Sequence, residues 1–89
     1  MANHASALKR HRQSEKRRQR NQAIKTRLRH LVRAVRAALT ARDPNAAASR
    51  LADAARALDK AATKGVVHKN AVARRKSRLT RQLNALVSR

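Results

Sequence analysis

This chain holds one proline and one glycine, Pro44 and Gly65, and twenty alanines with many Arg, Leu, Gln and Lys fill much of the rest. With so few breakers and so many good helix formers, the sequence predicts an all-helical fold and offers almost no strand candidates. Asp43-Pro44 reads as a capping carboxylate followed by proline at the first helical position, where its missing N–H costs nothing. Gly65 reads as the left-handed residue that closes the second helix, with Lys64 set to complement that helix's negative end. The third helix starts near His68, without a strong cap, although His68 itself reads as a cap or a contact to a partner rather than a base.

Apolar residues recur at helical spacing in each segment. Ile24, Leu28, Leu31, Val32, Val35, Ala38 and Leu39 share one face of the first helix. Ala47, Leu51, Ala54, Ala55, Leu58, Ala61 and Ala62 do so in the second. The third stripe, Val72, Leu79, Leu83, Leu86 and Val87, is sparser, because Arg75 and Lys76 interrupt it. Short loops between such helices imply antiparallel neighbours, hence an up-down-up three-helix bundle with a long first helix projecting beyond it. The chain of 89 residues is expected to form one domain, with a basic helical arm over 1–23 and the bundle over 24–89.

The arm is the anomaly. Between Ala7 and Asn21 the only large apolar residue is Leu8, so a helix there has no stripe to pack. Helical from Ser6 to Arg42, the segment would run about 55 Å at ~1.5 Å per residue, far beyond the bundle. Its cations, Lys9, Arg10, Arg12, Lys16, Arg17, Arg18, Arg20, Lys25, Arg27 and Arg29, surround the axis. Like-charge crowding of this kind predicts an arm that frays until it folds on a polyanion.

Charge identifies the partner class. Lys and Arg number 24 against four acids, a formal charge of +20. The excess is concentrated at both ends, net +12 over Met1 to Arg42 and +8 over Thr63 to Arg89, around a neutral centre. In an up-down-up bundle the arm emerges beside the turn at Lys64 and the cations that follow, which makes one end a basic pole. Rigidly held Lys and Arg neutralise phosphates and release counterions, and the preference for Arg over Lys favours bidentate phosphate contacts. A basic helix lying on a membrane is the weaker reading, since the arm offers lipid only Leu8.

Other classes are excluded or disfavoured. Without cysteine there is no disulfide, thiolate metal site or cysteine nucleophile; without aromatics there is no platform for stacking bases. The four acids and five serines form no catalytic constellation, so neither enzyme activity nor a small-molecule substrate is expected. His4 and His11 amid cations make a poor metal site, and no cofactor is expected. Asp53 and Asp59 each follow an Arg by three residues, and local pairing accounts for both. No apolar run suits a membrane span or a signal peptide, and the expected location is the cytoplasm.

The stretch from Ser6 to Arg18, with Arg20, Asn21 and Lys25, resembles the opening of the bacterial small-subunit ribosomal protein numbered twenty. Leu58 to Leu79, which includes Lys64-Gly65-Val66-Val67-His68-Lys69-Asn70, resembles that family's second signature more closely still. Both occur in family order and spacing, so the resemblance covers the whole chain. Between roughly Leu31 and Arg56 only helical character matches, and Val72 stands where the family more often has alanine.

The resemblance implies a three-helix protein bound directly to 16S ribosomal RNA, touching the 5′ domain and the long penultimate helix of the 3′ minor domain and aiding assembly. Carried over by position, the implied RNA contacts in the arm are Lys9, Arg10, Arg12, Lys16, Arg17, Arg18, Arg20, Asn21 and Lys25. At the pole they are Lys64, His68, Lys69, Asn70, Arg74, Arg75, Lys76 and Arg78. Other small-subunit components are implied neighbours, with no homo-oligomer. A histone-like, nucleoid-associated DNA binder is the alternative. Deep A-form grooves bar base reading, so recognition is expected through RNA shape, phosphates and 2′-OH groups.

Overall fold

A computed structural model describes residues 2–88, which form three helices: α1 (Ala2–Thr40), α2 (Pro44–Thr63) and α3 (Lys69–Val87). Among the described residues there is no strand. The chain rises along α1, returns along α2 and rises again along α3. The molecule measures 69 × 21 × 14 Å with a radius of gyration of 18.0 Å. A compact chain of this size would have a radius of about 12 Å. The difference is the length of α1, whose first half leaves the bundle.

The core is small and lies in two layers. Near the α2–α3 turn, Leu28, Leu58, Ala61 and Val72 are buried together, with Ile24, Val66 and Val67 packed against them. Farther along, Val32, Val35, Ala54 and Leu79 are buried, with Leu31, Leu39 and Leu51 alongside. Ala47, Ala54 and Ala61 are buried at seven-residue spacing on α2, and their small side chains let α1 approach closely. The α1–α2 seam is accordingly the most extensive; α3 packs on α2 and touches α1 least. The third stripe is sparse as expected, but Val87, the last residue of α3, is exposed rather than packed.

Both turns solve the same hydrogen-bonding problem. At the end of α2, Gly65 has φ 76°, the Val66 N–H donates to the Ala61 carbonyl at 3.0 Å, and the Gly65 N–H donates to that of Ala62 at 3.0 Å. This is the Schellman closure that the glycine predicts. α1 closes identically without a glycine. Arg42 has φ 56°, the Asp43 N–H donates to the Ala38 carbonyl at 3.1 Å, and the Arg42 N–H donates to that of Leu39 at 3.1 Å. The chain then enters α2 with the Asp43 carboxylate accepting from the Ala46 N–H at 3.1 Å and Pro44 in the first turn. α3 does have a side-chain cap: His68 Nδ1 accepts from the Asn70 N–H at 3.1 Å.

α1 is one unbroken helix from Ala2. Arm and bundle share it, so the costly nucleation step is already made at Ile24 and beyond, and Ala, Arg, Lys and Gln propagate it outward. The arm is not folded back on the bundle: between His4 and Arg20 every residue is exposed except Glu15, which is half-buried.

Candidate nucleic-acid interface

The arm displays its cations with little competition from carboxylates. Lys9, Arg10, Arg12, Lys16, Arg17, Arg18 and Arg20 are exposed, as is Lys25, and Asn21 is half-buried where the arm meets the bundle. From Lys9 to Lys25 they cover about 24 Å of axis at ~1.5 Å per residue and face all directions. The one acid of the arm, Glu15, has its Oε1 at 3.5 Å from Nη2 of Arg18.

The other end of the interface is built by the α2–α3 turn. The Schellman closure turns Val66 and Val67 inward onto the core, which leaves Lys64, His68, Lys69 and Asn70 exposed around them. Arg74, Arg75 and Arg78 follow, exposed, on α3. The imidazole of His68 caps through Nδ1, so its Nε2 edge is the one left to face a partner. Arm and pole meet: Lys25 and Arg75 line one cleft of about 210 Å³, and Arg27, Lys60 and Lys64 line another of about 430 Å³.

Lys76 differs from its neighbours. Its Nζ donates to both carboxylate oxygens of Asp59 at 3.1 Å and is half-buried between α2 and α3. Asp59 thus bonds across the seam rather than with Arg56, the residue three before it. Asp53 instead pairs with Arg56, three positions later, at 2.7 Å. Local pairing therefore holds for Asp53, with a different partner from Arg50, and fails for Asp59, which the antiparallel return of α3 brings beside a nearer ammonium.

All four acids are engaged, three in ion pairs and Asp43 as a cap. Most cations consequently have no carboxylate partner among the described residues. The α1–α3 seam gathers Arg29, Arg33 and Arg36 with Arg75 and Arg78. Arg75 and Arg78 belong to the contacts implied by the sequence, and Arg29 was read there as one of the arm's cations. Arg33 and Arg36 were not named, although the 29, 33, 36 spacing puts all three on one helical face. No cluster of potential metal ligands occurs among the described residues, and no helix there is long and apolar enough to cross a membrane.

Fold and surface together define a small, cationic, all-helical protein that displays its charge on an arm and a pole. Residues 2–84 match the family model described as Ribosomal protein S20, and the chain belongs to that family. It is 54% identical over 84 residues to small ribosomal subunit protein bS20 of Nitratidesulfovibrio vulgaris strain DP4, covering 94% of this chain and 97% of the relative. Its identity to the bS20 protein of Maridesulfovibrio salexigens is 54% over 86 residues, covering 97% and 99% of the two chains. With that of Beutenbergia cavernae it is 52% over 86 residues, covering 97% and 100%. Members of this family are structural components of the small ribosomal subunit and not enzymes.

Proposed function

We propose that this chain binds directly to 16S ribosomal RNA and supports its folding and assembly into the small subunit in the cytoplasm. The observation that carries the reading is the arm, seven exposed cations over Lys9 to Arg20 with no packing of their own. Residues 1–23 act as the RNA-penetrating arm and 24–89 as the bundle that anchors it. Inserted between RNA segments, the arm neutralises phosphates that would otherwise repel one another. The pole at Lys64, His68, Lys69, Asn70, Arg74, Arg75 and Arg78 holds the RNA beside the arm's exit, while Lys76 reaches it from its pairing with Asp59. The 5′ domain and the long penultimate helix of the 3′ minor domain are the segments bridged, as the family resemblance implies.

Titration of the purified chain with folded 16S RNA in excess duplex DNA tests this. Retention of RNA binding is expected. Engagement of ~6 to 10 phosphates should cost about 10³- to 10⁵-fold in affinity between 50 and 200 mM salt. Complete competition by the duplex would favour a histone-like DNA binder instead, and a flat salt response would contradict phosphate recognition.

A further inference from the structure

The seam between α1 and α3 is a cleft of about 520 Å³ in which Arg29, Arg33 and Arg36 of α1 face Arg75, Arg78 and Gln82 of α3. Its floor is apolar, formed by Val32 and Leu79. No acid lines it, and none of its five guanidinium groups has a carboxylate partner among the described residues. The α1–α2 cleft is different: it also holds Arg27, Arg56, Lys60 and Lys64, but Asp53 lies among them and binds Arg56.

Five arginines converging without a counterion repel one another across a seam that is already the least packed of the three. An anion lying between them converts that repulsion into attraction. We infer that this cleft seats the backbone of a single RNA strand, an additional phosphodiester-binding track that extends the interface from the pole toward the middle of the bundle. The inference rests on the proposed RNA-binding role and adds Arg29, Arg33, Arg36 and Gln82 to it.

Three observations select this occupant. Arg29, Arg33 and Arg36 lie within about 60° of one another around α1 and span about 10 Å along it, a one-sided row that suits successive phosphates of one strand. Guanidinium groups bind phosphate oxygens bidentately, and the Gln82 amide suits a phosphate or a 2′-OH. The track also continues into the arm–pole contact, because Arg29 and Arg75 line the adjoining cleft with Lys25. An acidic protein segment shares the charge but not this continuity with the arm.

The test compares the full chain with two double variants that remove the same charge. Arg33→Gln/Arg78→Gln strikes the cleft; Arg50→Gln/Arg81→Gln strikes exposed arginines outside it. In titrations with 16S RNA from 50 to 200 mM salt, the cleft pair should lower the slope of log affinity against log salt by about 1.4 to 1.8. The control pair should leave the slope nearly unchanged. Equal effects from both pairs would mean that net charge alone matters, which overturns the inference while leaving RNA binding intact. Absence of RNA binding by the unaltered chain would overturn both. Because the chain has no cysteine, Gln82→Cys also accepts a unique iron chelate that cleaves nearby RNA. Cleavage of one discrete strand is expected from Gln82→Cys and not from Ser49→Cys on α2; no cleavage from Gln82→Cys overturns the inference whatever the fate of the arginine variants.

Discussion

Replacing Arg42 by glycine should stabilise the protein. Arg42 holds φ 56° at the Schellman closure of α1, in the left-handed region that disfavours a Cβ on steric grounds. A side-chain-bearing residue costs roughly 1 to 2 kcal/mol in this left-handed region. Glycine removes that cost but adds freedom to the unfolded chain worth roughly 0.5 to 1 kcal/mol. The net gain lies between about 0 and 1.5 kcal/mol and centres on about 0.75 kcal/mol, which for a domain of this size raises the thermal midpoint by about 3 to 6 °C. Gly65 is the mirror case: it has φ 76°, and a Cβ added there would meet nothing within 4 Å. Gly65→Ala therefore isolates the backbone cost and should lower the midpoint by a similar amount. Thermal unfolding followed by circular dichroism reads both. Arg42→Ala separates charge from backbone, since it removes the guanidinium and keeps the Cβ. If Arg42→Gly unfolded no higher than Arg42→Ala, backbone strain at this turn would be refuted.

Asp43→Ala removes the carboxylate that accepts from Ala46 and should cost about 0.5 to 2 kcal/mol, measured by the same melts. Leu58→Ala opens a cavity beside Leu28 and Val72, in a core that holds nine buried residues among the described ones. Its cost of about 2 to 5 kcal/mol should leave the bundle partly unfolded at 37 °C, with loss of the cooperative transition as the readout. Deleting Met1 to Arg20 should preserve the cooperative helical transition and weaken RNA binding severely; loss of that transition would show that the arm belongs to the core.

The parts of this fold that depend on local chemistry were legible in the sequence. The stripes at Ile24 to Leu39 and Ala47 to Ala62 pack as their period predicts, and Asp43-Pro44 and Gly65 mark their turns. Less legible were features that tertiary geometry decides. Nothing in the residue type Arg announces a left-handed conformation at Arg42; the short link to Asp43 imposes it. Asp59 chooses Lys76 because the return of α3 sets an ammonium beside it. For the candidate interface, the exposed arm and the turn were readable from charge and apolar content. The gathering of Arg29, Arg33 and Arg36 with Arg75 and Arg78 was readable only in part: the spacing puts the first three on one face of α1, but only the fold sets α3 alongside them.

The central claim is that the arm is an RNA-binding element. Arg10, Arg12, Arg17, Arg18 and Arg20 can all be replaced by Gln in the full chain, exposed positions whose loss leaves the core untouched. The salt slope of 16S RNA binding should then fall by about 3.5 to 4.5, with the thermal midpoint of the bundle retained. An unchanged slope with a folded bundle would contradict the account.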